Sequence, residues 1–353
     1  MTHFTEQLID WYTARKRDLP WRSTKNPYPV WLSEIILQQT RVEQGLPYWL
    51  RFMTEFPTIH DLADAKEEKV LRLWQGLGYY SRARNLHATA KHISGELNGG
   101  FPSSYNEIIQ LKGIGPYTAA AIASICFNEA TPVVDGNVFR FAARYFGITI
   151  DIMSAKARKT FENHLLEVID KSNPGTFNQA MMEFGATVCT PAPKCEDCIF
   201  QVSCFAYHKK RQKSLPVKTK KIKVSTRYFN YVVFWDQNKI LLKQRGPKDV
   251  WQGLYDFYLE EGALEETVLF EKITADLNLI GEVTIDNQSH SFKHILSHQK
   301  IMARFFEVKL SSKQCKTVIQ KTQLSSYSIE ELLNLPKPKL IVNYLEHIGI
   351  KEK

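Results

Sequence analysis

The sequence predicts two domains, an all-α part followed by an α+β domain. Through residues 1–207, apolar side chains recur at three- and four-residue spacing, which is the periodicity of amphipathic helices. Residues 227–353 instead carry β-branched and aromatic runs with turn residues between them, as strands do. The two parts are joined by residues 208–226, a densely basic stretch without acidic residues that predicts a linker.

Each part contains segments with a clear secondary-structure preference, separated by turn residues. The helical pattern is clearest in three segments of the first part: residues 29–52, 66–93 and 154–171. In the second part three segments predict strands: residues 227–236, 239–245 and 301–310. Two more segments predict helices, residues 263–275 and 329–347. No internal repeat is visible.

Composition limits the class of protein. The chain of 353 residues is 44% hydrophobic and 24% charged, the profile of a soluble globular protein. Its 46 basic residues exceed the 37 acidic ones, and the net charge of +9 favours a polyanionic partner. We find no secretory signal and no apolar run long enough to cross a bilayer. We therefore expect a cytoplasmic protein whose six cysteines stay reduced and do not form disulfides.

Residues 105–127 predict two helices joined by a tight turn. Gly113, Ile114 and Gly115 separate the helices, and Pro116 falls in the first turn of the second, where proline is favoured. The glycines permit positive φ and leave backbone N–H groups uncovered at a helix N-terminus, which suits a phosphate oxygen. We expect Ile114 to point into the core. The alternative is an ordinary turn between two helices.

Two carboxylates are candidates for catalysis. Asp135 follows a short apolar run and begins an amphipathic helix, which by itself predicts a helix N-cap, a role that can coexist with catalysis because capping fixes the carboxylate. Glu34 lies between Trp31 and Leu37 on a strongly apolar helix. If Glu34 is buried there, its pKa rises toward the range of a general acid. The alternative is a glutamate on an exposed stripe of that helix.

Four of the six cysteines fall close together in the chain: Cys189, Cys195, Cys198 and Cys204. Four thiolates this close in a reducing compartment predict a metal site, although zinc and an iron–sulfur cluster both accept four cysteines. Cys126 and Cys315 lie apart from this group. We expect these two to be buried or incidental thiols.

Several motifs make the chain similar to the MutY-type adenine DNA glycosylases of the helix-hairpin-helix/Gly-Pro-Asp superfamily. They are LPWR at 19–22, LSEIILQQT at 32–40, GLGYYSRARNL at 76–86, GIGPYTA at 113–119, VDGNV at 134–138 and NQAMMEFGA at 178–186. The resemblance covers nearly the whole chain. It implies a helix-hairpin-helix glycosylase region with an iron–sulfur cluster loop, followed by a Nudix-like domain, and an activity in base excision repair.

The resemblance also implies a [4Fe–4S] cluster on the four cysteines. Similar glycosylases most often space these cysteines C-x6-C-x2-C-x5-C, whereas this chain has C-x5-C-x2-C-x5-C. The missing residue falls in a loop that contains Pro191 and Pro193, where we expect it to be absorbed. By the same resemblance the cluster holds a basic loop against DNA phosphates, and Lys194 is the candidate for that contact.

For catalysis, the resemblance implies that Glu34, uncharged, protonates N7 of an extruded adenine. Asp135, ionised, then stabilises the positive charge that grows on the sugar or bonds briefly to the anomeric carbon. Tyr117 and Asn137 would orient these two carboxyl groups or contact the sugar. Three residues match those around the adenine in the family: Arg17, Trp21 and Arg22. Core packing and surface charge are the alternative roles for these three.

Tyr117 also bears on the reaction outcome. Related bifunctional enzymes such as endonuclease III have a lysine in the corresponding position of the hairpin, and its amine forms a Schiff base with the sugar before strand cleavage. A phenol cannot form a Schiff base. The sequence therefore predicts a monofunctional enzyme that removes a base and leaves the backbone intact.

Recognition of the opposite base is expected from both domains. Gln39 and Tyr79 match residues that insert beside the opposing 8-oxoguanine in the family, and core packing is the alternative for Tyr79. In the second domain, Leu296, Ser297 and His298 replace the family's Phe-Ser-His loop. The serine and histidine would keep polar contacts to the lesion and the leucine would weaken stacking. A plain β-turn is the alternative for this loop.

The predicted partner is double-stranded DNA containing 8-oxoguanine:adenine mispairs, bound by a monomer that associates with the nucleoid through DNA. Two alternatives remain open, a bifunctional glycosylase/lyase and a non-catalytic DNA-binding protein in which the cysteines hold zinc. A Nudix hydrolase is a third. It would need the G-x5-E-x7-R-E-x2-E-E carboxylate pattern that binds Mg²⁺, and that pattern is not recognisable in residues 262–281.

Overall fold

The computed structural model describes residues 2–219, 224–247, 249–279, 284–285, 290–296 and 298–351. Its contacts divide the chain into two compact units. The first unit comprises Met1–Asp64 and Asn85–Lys221, and the second comprises Ala65–Arg84 and Ile222–Lys353. The sequence pattern assigned residues 65–84 to the helical part, because their periodicity is helical. Periodicity carries no information about which core a helix packs against.

The chain up to residue 208 is helical, as predicted, and its described residues contain no strand. The helices are α1 His3–Arg15, α2 Pro27–Ile36, α3 Val42–Glu55, α4 Ile59–Asp64, α5 Glu67–Leu73, α6 Ser81–Glu96, α7 Tyr105–Ile108, α8 Pro116–Phe127, α9 Gly136–Phe146, α10 Ala157–Leu166, α11 Pro174–Thr187 and α12 Phe205–His208. The periodic segments 29–52 and 66–93 each form two helices separated by a turn. None of the helices in the described part of the chain is long and apolar enough to span a bilayer.

The core of the first unit lies between α1, α9 and α11. Its aromatic centre consists of Phe4, Phe141, Phe184 and Phe200, and these rings contact one another with centroids 4.6–6.0 Å apart. α8 packs against both α2 and α11, and its residues Thr118–Ile125 are buried. Their small side chains explain why this helix can be buried on all sides. The packing brings α2, α8, α9 and α11 together, and these helices carry the candidate site.

The second unit is built on a mixed sheet, which confirms the α+β prediction. Its strands are β1 Ser225–Asp236, β2 Lys239–Gln244, β3 Tyr255–Asp256, β4 Tyr258–Glu261, β5 Thr284–Ile285, β6 His290–Ile295, β7 Gln299–Lys309 and β8 Ser325–Ser328. The order along the sheet is β3-β2-β1-β7-β5, with β4 on β1, β6 on β7 and β8 on β2. β1 and β7 pair in parallel from Ser225↔Gln299 to Trp235↔Lys309, and the other pairs are antiparallel.

After β4, the described residues of the second unit form four helices that accompany the sheet. They are α13 Glu266–Leu277, α14 Ser312–Lys321, α15 Ile329–Asn334 and α16 Lys339–His347. The predicted helix 329–347 is therefore two helices, because Pro336 and Pro338 cannot continue one. The three predicted strands correspond to β1, β2 and β7, whereas the shorter strands and α14 were not predicted. On one face of the sheet, Phe305 stacks between Tyr231 and Tyr344, at centroid distances of 4.9 and 4.2 Å.

Candidate active site

Glu34 lies on α2 in apolar surroundings. Nine of the ten residues of α2 are buried, and Glu34 is 7% exposed. The exposed-stripe alternative for Glu34 is therefore wrong. Tyr117, in the first turn of α8, donates a hydrogen bond from its hydroxyl to the Glu34 carboxyl. Burial raises the pKa of Glu34 to about 7, and the Asp135 charge adds to this, whereas the Tyr117 hydrogen bond and Arg22 oppose it.

Asp135 is the N-cap of α9. Its side chain accepts a hydrogen bond from the Val138 N–H at 2.7 Å and another from the Asn137 amide at 2.9 Å. Burial raises the pKa of Asp135 above its ordinary value, and these two donors oppose the rise. Because both donors favour a carboxylate, Asp135 is the better placed of the two acids to hold the negative charge. The N-cap role is confirmed, and it leaves the catalytic role open.

Both carboxyl groups line one cavity of about 730 Å³ in the first unit. A volume of this size accommodates a small organic ligand or a single nucleotide base. The cavity is also lined by six other residues singled out from the sequence: Arg17, Trp21, Arg22, Gln39, Tyr117 and Asn137. The fold thus assembles in one place side chains that lie up to about 120 positions apart in the chain.

Glu183 is a member of this site that the sequence argument missed. It projects from α11, is 1% exposed and lines the same cavity. Arg17 donates to it from Nε and Nη2 at 2.8 Å each, and Arg22 donates from Nη2 at 2.7 Å. Burial opposes ionisation, but these hydrogen bonds dominate and lower the pKa of Glu183 to about 2. The sequence feature that could have identified Glu183 is its position in the NQAMMEFGA motif, between Met182 and Phe184.

Arg140 is a second residue that was missed. From α9 its guanidinium donates to the Cys189 carbonyl at 2.7 Å, to Asn137 Oδ1 at 2.8 Å and to the Gly185 carbonyl at 2.5 Å. Arg140 therefore links Asn137, and through it Asp135, to the start of the four-cysteine loop. No sequence motif marked this arginine, since its partners are mostly backbone carbonyl groups.

The predicted helical hairpin is present as α7 and α8. Gly113 has φ 77°, and a Cβ there would lie 2.5 Å from the Asn85 Cβ. Gly115 has φ −97°, so of these two glycines Gly113 alone uses the positive φ that glycine permits. Gly115 is the N-cap of α8, with no atom within 4 Å of an added Cβ. Ile114 is 6% exposed, as expected for a residue pointing into the core.

The four clustered cysteines line one small cavity with Phe141, Phe184 and Phe200. Cys189 Sγ lies 3.5 Å from Arg144 Nη1, and Cys204 Sγ lies 3.5 Å from the Arg144 carbonyl. The donor set of four thiols fits an iron–sulfur cluster or zinc. Among the described residues, however, no three cysteine, histidine or acidic side chains are already arranged around a common metal position. As for the remaining thiols, Cys315 is buried and Cys126 partly buried.

Gln39 and Tyr79 share an uncommon backbone conformation. Gln39 has φ 56° and Tyr79 has φ 48°, in the left-handed region that non-glycine residues rarely adopt. Gln39 is exposed, and Tyr79 is 44% exposed. Core packing, the alternative for Tyr79, is therefore wrong. An exposed, strained residue is typical of a functional surface.

Within the second unit, Tyr79 lines a cavity of about 540 Å³. Leu296 and His298 line the same cavity, together with Trp251 and His294. The Leu296 N–H donates to the Gln299 carbonyl at 2.8 Å, so this loop is the turn of the β6–β7 hairpin, and the turn expected as the alternative is present. Ser297 lies outside the described residues. Two predicted groups, Tyr79 and the 296–298 loop, are thus neighbours.

Both parts of the chain match known protein families, and named relatives match most of its length. Residues 32–170 match the HhH-GPD superfamily of base excision DNA repair proteins, and residues 230–347 match the NUDIX domain. The chain is 35% identical over 300 residues to the adenine DNA glycosylase of Buchnera aphidicola subsp. Acyrthosiphon pisum (strain APS), which covers 84% of each chain. It is 45% identical over 219 residues to the adenine DNA glycosylase of Mus musculus, covering 59% of this chain and 42% of that protein.

Solved structures share the helical fold. A thermostable thymine-DNA glycosylase is 26% identical with a TM-score of 0.54, and the match covers 58% of this chain and 95% of that one. The protein in a non-covalent endonuclease III–DNA complex is 21% identical with a TM-score of 0.51, over 60% of this chain and 96% of that one. At 21% identity the second match establishes the fold alone.

Proposed function

The chain belongs to the adenine DNA glycosylase family, and from that membership we propose that it removes adenine mispaired with 8-oxoguanine or guanine and leaves the DNA backbone intact. Its relatives are named adenine DNA glycosylases, and the family that residues 32–170 match is described as one of base excision DNA repair proteins. The chain is an adenine-specific DNA N-glycosylase. We further propose that it acts as a monomer on double-stranded DNA in the cytoplasm.

One observation carries the mechanism: Glu34, hydrogen-bonded by Tyr117, shares a cavity with Asp135. Adenine is a poor leaving group until it is protonated. With a pKa of about 7, Glu34 keeps much of its proton at neutral pH and can donate it to N7 of an everted adenine. This protonation makes the base neutral when the glycosidic bond breaks.

Asp135 supports the second half of the step. As the bond breaks, positive charge grows on the sugar, and a nearby carboxylate stabilises it. The Val138 N–H and the Asn137 amide hold the Asp135 carboxyl in one orientation. A water molecule then adds to the anomeric carbon and loses a proton, which the ionised Glu34 can accept, and the product is an abasic site. Whether Asp135 bonds to that carbon first does not change the product.

The residues that line the cavity support the proposed absence of strand cleavage. Among the described residues there, no lysine is present, and Tyr117 occupies the hairpin position where bifunctional relatives have an amine. Without an amine the sugar cannot form a Schiff base with the protein, which is the step that leads to elimination. This favours a monofunctional enzyme over the glycosylase/lyase alternative.

The walls of the cavity support binding of the adenine. Trp21 is 6% exposed and still lines the cavity, where its ring can contact a flat base. Arg17 and Arg22 present guanidinium groups that Glu183 holds in place. Such fixed donors suit the ring nitrogens of adenine. A single position of the adenine in this cavity would therefore allow these residues to bind the base while the two carboxyl groups act on it.

We propose that exposed residues in strained or turn conformations recognise the base opposite adenine. Gln39 and Tyr79 would insert into the duplex as the adenine is everted, and stacking by Tyr79 would offset part of the unstacking energy. Leu296, Ser297 and His298 would contact 8-oxoguanine. The proximity of Leu296 and His298 to Tyr79 around one cavity supports this assignment.

Two further features would bind DNA phosphates. Gly113 and Gly115 precede α8, and at Gly115, the N-cap, an added Cβ would meet no atom within 4 Å, so the N–H groups at this helix N-terminus are open to an anion. Four residues would hold a [4Fe–4S] cluster: Cys189, Cys195, Cys198 and Cys204. When bound, the cluster supplies a structural cross-link that holds the loop carrying Lys194. Absorbance at about 400 nm in the purified protein would distinguish such a cluster from zinc.

The test is a single-turnover assay on oligonucleotide duplexes with adenine opposite 8-oxoguanine, guanine or thymine. We expect abasic product opposite the first two, visible as strand breaks only after alkali treatment. Breaks without alkali would instead support the glycosylase/lyase. Asp135→Asn and Glu34→Gln should each abolish adenine release and retain duplex binding, with Glu6→Gln, an exposed glutamate on α1, as the matched control. Substantial turnover by Asp135→Asn would contradict the catalytic assignment.

A further inference from the structure

The turn that presents Tyr79 is held in an unfavourable backbone conformation. Gly76, Gly78 and Tyr79 have φ values of 103°, 70° and 48°. For a tyrosine this conformation persists only when surrounding contacts impose it. Some of these contacts are local, since Trp74 Nε1 and Arg82 Nη2 donate to the Gly78 carbonyl at 3.0 and 3.3 Å. Other contacts come from a segment distant in the sequence.

That distant segment is the buried stretch Pro336, Lys337 and Pro338, between α15 and α16. Lys337 is 1% exposed, and its ammonium donates to the carbonyls of Leu332 at 2.5 Å and Leu335 at 2.6 Å. These carbonyl groups lie at the C-terminus of α15, where a cation is favoured. With a proline on each side and its side chain fixed, Lys337 presents its backbone in one orientation.

Both backbone polar groups of Lys337 face the Tyr79 turn. The Lys337 N–H donates to Gln75 Oε1 at 2.9 Å, and the Lys337 carbonyl accepts from the Tyr80 hydroxyl at 3.3 Å. The Tyr80 oxygen also accepts from the Gly76 N–H at 3.4 Å. Buried backbone groups require such partners. Gln75 and Tyr80, which lie before and after Tyr79 in the chain, therefore provide hydrogen-bond partners for the backbone of the buried Lys337.

We propose that Gln75 and Tyr80 are positioning residues that fasten the Tyr79 turn to Lys337 and so set how strongly adenine excision depends on the opposite base. The inference rests on the proposed insertion of Tyr79 beside that base. Lys337 belongs to the same compact unit as Leu296 and His298, and Lys339, two residues further on, lines the same cavity as these two residues and Tyr79. The attachment thus holds Tyr79 at a fixed position relative to the other residues that would contact the lesion.

The test uses the full-length protein and the ratio of single-turnover rates for adenine opposite 8-oxoguanine and opposite guanine. Gln75→Met keeps the side-chain length and removes the acceptor, whereas Gln75→Glu keeps an acceptor oxygen. We expect Gln75→Met to lower the ratio about fivefold, the equivalent of one hydrogen bond, and Gln75→Glu to restore most of it. Gln320→Met, at an exposed glutamine of α14, is the matched control and should leave the ratio unchanged.

A double-mutant cycle with Tyr79→Ala separates positioning from general loss of stability. If Gln75 acts through Tyr79, adding Gln75→Met to Tyr79→Ala should cause no further loss in the ratio. Tyr80→Phe, which removes one hydroxyl, should behave in the same way and covers the case in which Gln75→Met does not fold. Additive losses, or an unchanged ratio in both Gln75→Met and Tyr80→Phe, would overturn the inference. An unchanged ratio in Tyr79→Ala would instead overturn the proposed role of Tyr79 itself, and this inference with it.

Discussion

The hydroxyl of Tyr117 donates a hydrogen bond to the carboxyl of Glu34, joining residues that lie 83 positions apart in the chain and line the same cavity. Burial raises the pKa of Tyr117 well above its ordinary value, so the phenol stays protonated and remains a donor. As a donor it favours the ionised form of Glu34, against the larger effect of burial. Two opposing contributions, burial and the Tyr117 hydrogen bond, therefore set the acidity of Glu34, the proposed general acid.

Adenine release should fall as pH rises above about 7, because the reaction requires protonated Glu34 and its pKa is raised to about 7. Tyr117→Phe removes the hydrogen bond that lowers this pKa. The falling limb of the pH profile should then move to higher pH, even if the maximal rate drops. Single-turnover rates from about pH 5 to pH 9 measure this shift. A limb that stays in place or moves to lower pH would argue against Glu34 as the acid.

The same pKa predicts a pH-dependent stability. Because the folded-state pKa of Glu34 is raised above its ordinary value, the folded protein retains this proton more strongly than the unfolded chain does. The contribution of Glu34 to the free energy of unfolding is therefore complete below the ordinary pKa and is lost as pH rises through about 7. Glu34→Gln should show a smaller decline over that range, as measured by urea unfolding at several pH values.

Glu183→Gln should destabilise the protein and distort the base-binding wall. The change removes the charge that Arg17 and Arg22 share. Disrupting a fully buried ion pair costs about 3–5 kcal/mol, and because the Arg17 side chain is 36% exposed and stays partly hydrated, we expect a loss below that range. Because the pKa of Glu183 is lowered to about 2, its stabilisation is present above the ordinary pKa and is lost as pH falls toward 2. Urea unfolding at neutral and acidic pH measures both effects.

The matched control is Glu167→Gln, an exposed glutamate at the end of α10. It should leave the unfolding free energy nearly unchanged at both pH values. If Glu183→Gln lost no more stability than Glu167→Gln at neutral pH, the ion pairs would contribute little net energy. The arginines would then have to be held by other contacts.

The sequence predicted the parts of the site that depend on local pattern. An apolar helix around Glu34, an aspartate at a helix start and a glycine hairpin are all visible in short stretches. Glu183 and Arg140 were missed because their importance comes from partners that are distant in sequence or are backbone carbonyl groups. A helical periodicity records that one face is buried, and the identity of the covering surface is a long-range property.

Arg140→Gln should lower the rate of adenine release more than it lowers DNA binding. The arginine fixes Asn137, which donates to Asp135, and it also holds the Cys189 carbonyl. A glutamine cannot reach all three acceptors, so both Asp135 and the cysteine loop should become less ordered. Comparing single-turnover rate, duplex affinity and melting temperature with those of Arg15→Gln, an exposed control on α1, tests this. A uniform loss of affinity without a loss of rate would assign Arg140 to DNA binding alone.

Alanine substitution of the two hairpin glycines should have different effects on stability. Gly113→Ala forces a Cβ into the left-handed region at φ 77° and within 2.5 Å of the Asn85 Cβ, so we expect a loss of about 1–3 kcal/mol in unfolding free energy. Gly115→Ala meets no atom within 4 Å and has φ −97°. Its cost in stability should be below about 1 kcal/mol, the difference between glycine and alanine as an N-cap.

The DNA affinity per folded molecule should show the opposite order, with the larger loss in Gly115→Ala. The methyl group of Gly115→Ala would stand beside the N–H groups proposed to meet a DNA phosphate, so duplex affinity should fall although the protein remains folded. For Gly113→Ala, affinity per folded molecule should fall only as far as the turn is distorted. Urea unfolding and duplex titration on the same samples separate the two effects. If Gly115→Ala bound DNA as tightly as the unaltered protein, the hairpin would be an ordinary turn and the phosphate contact would lie elsewhere.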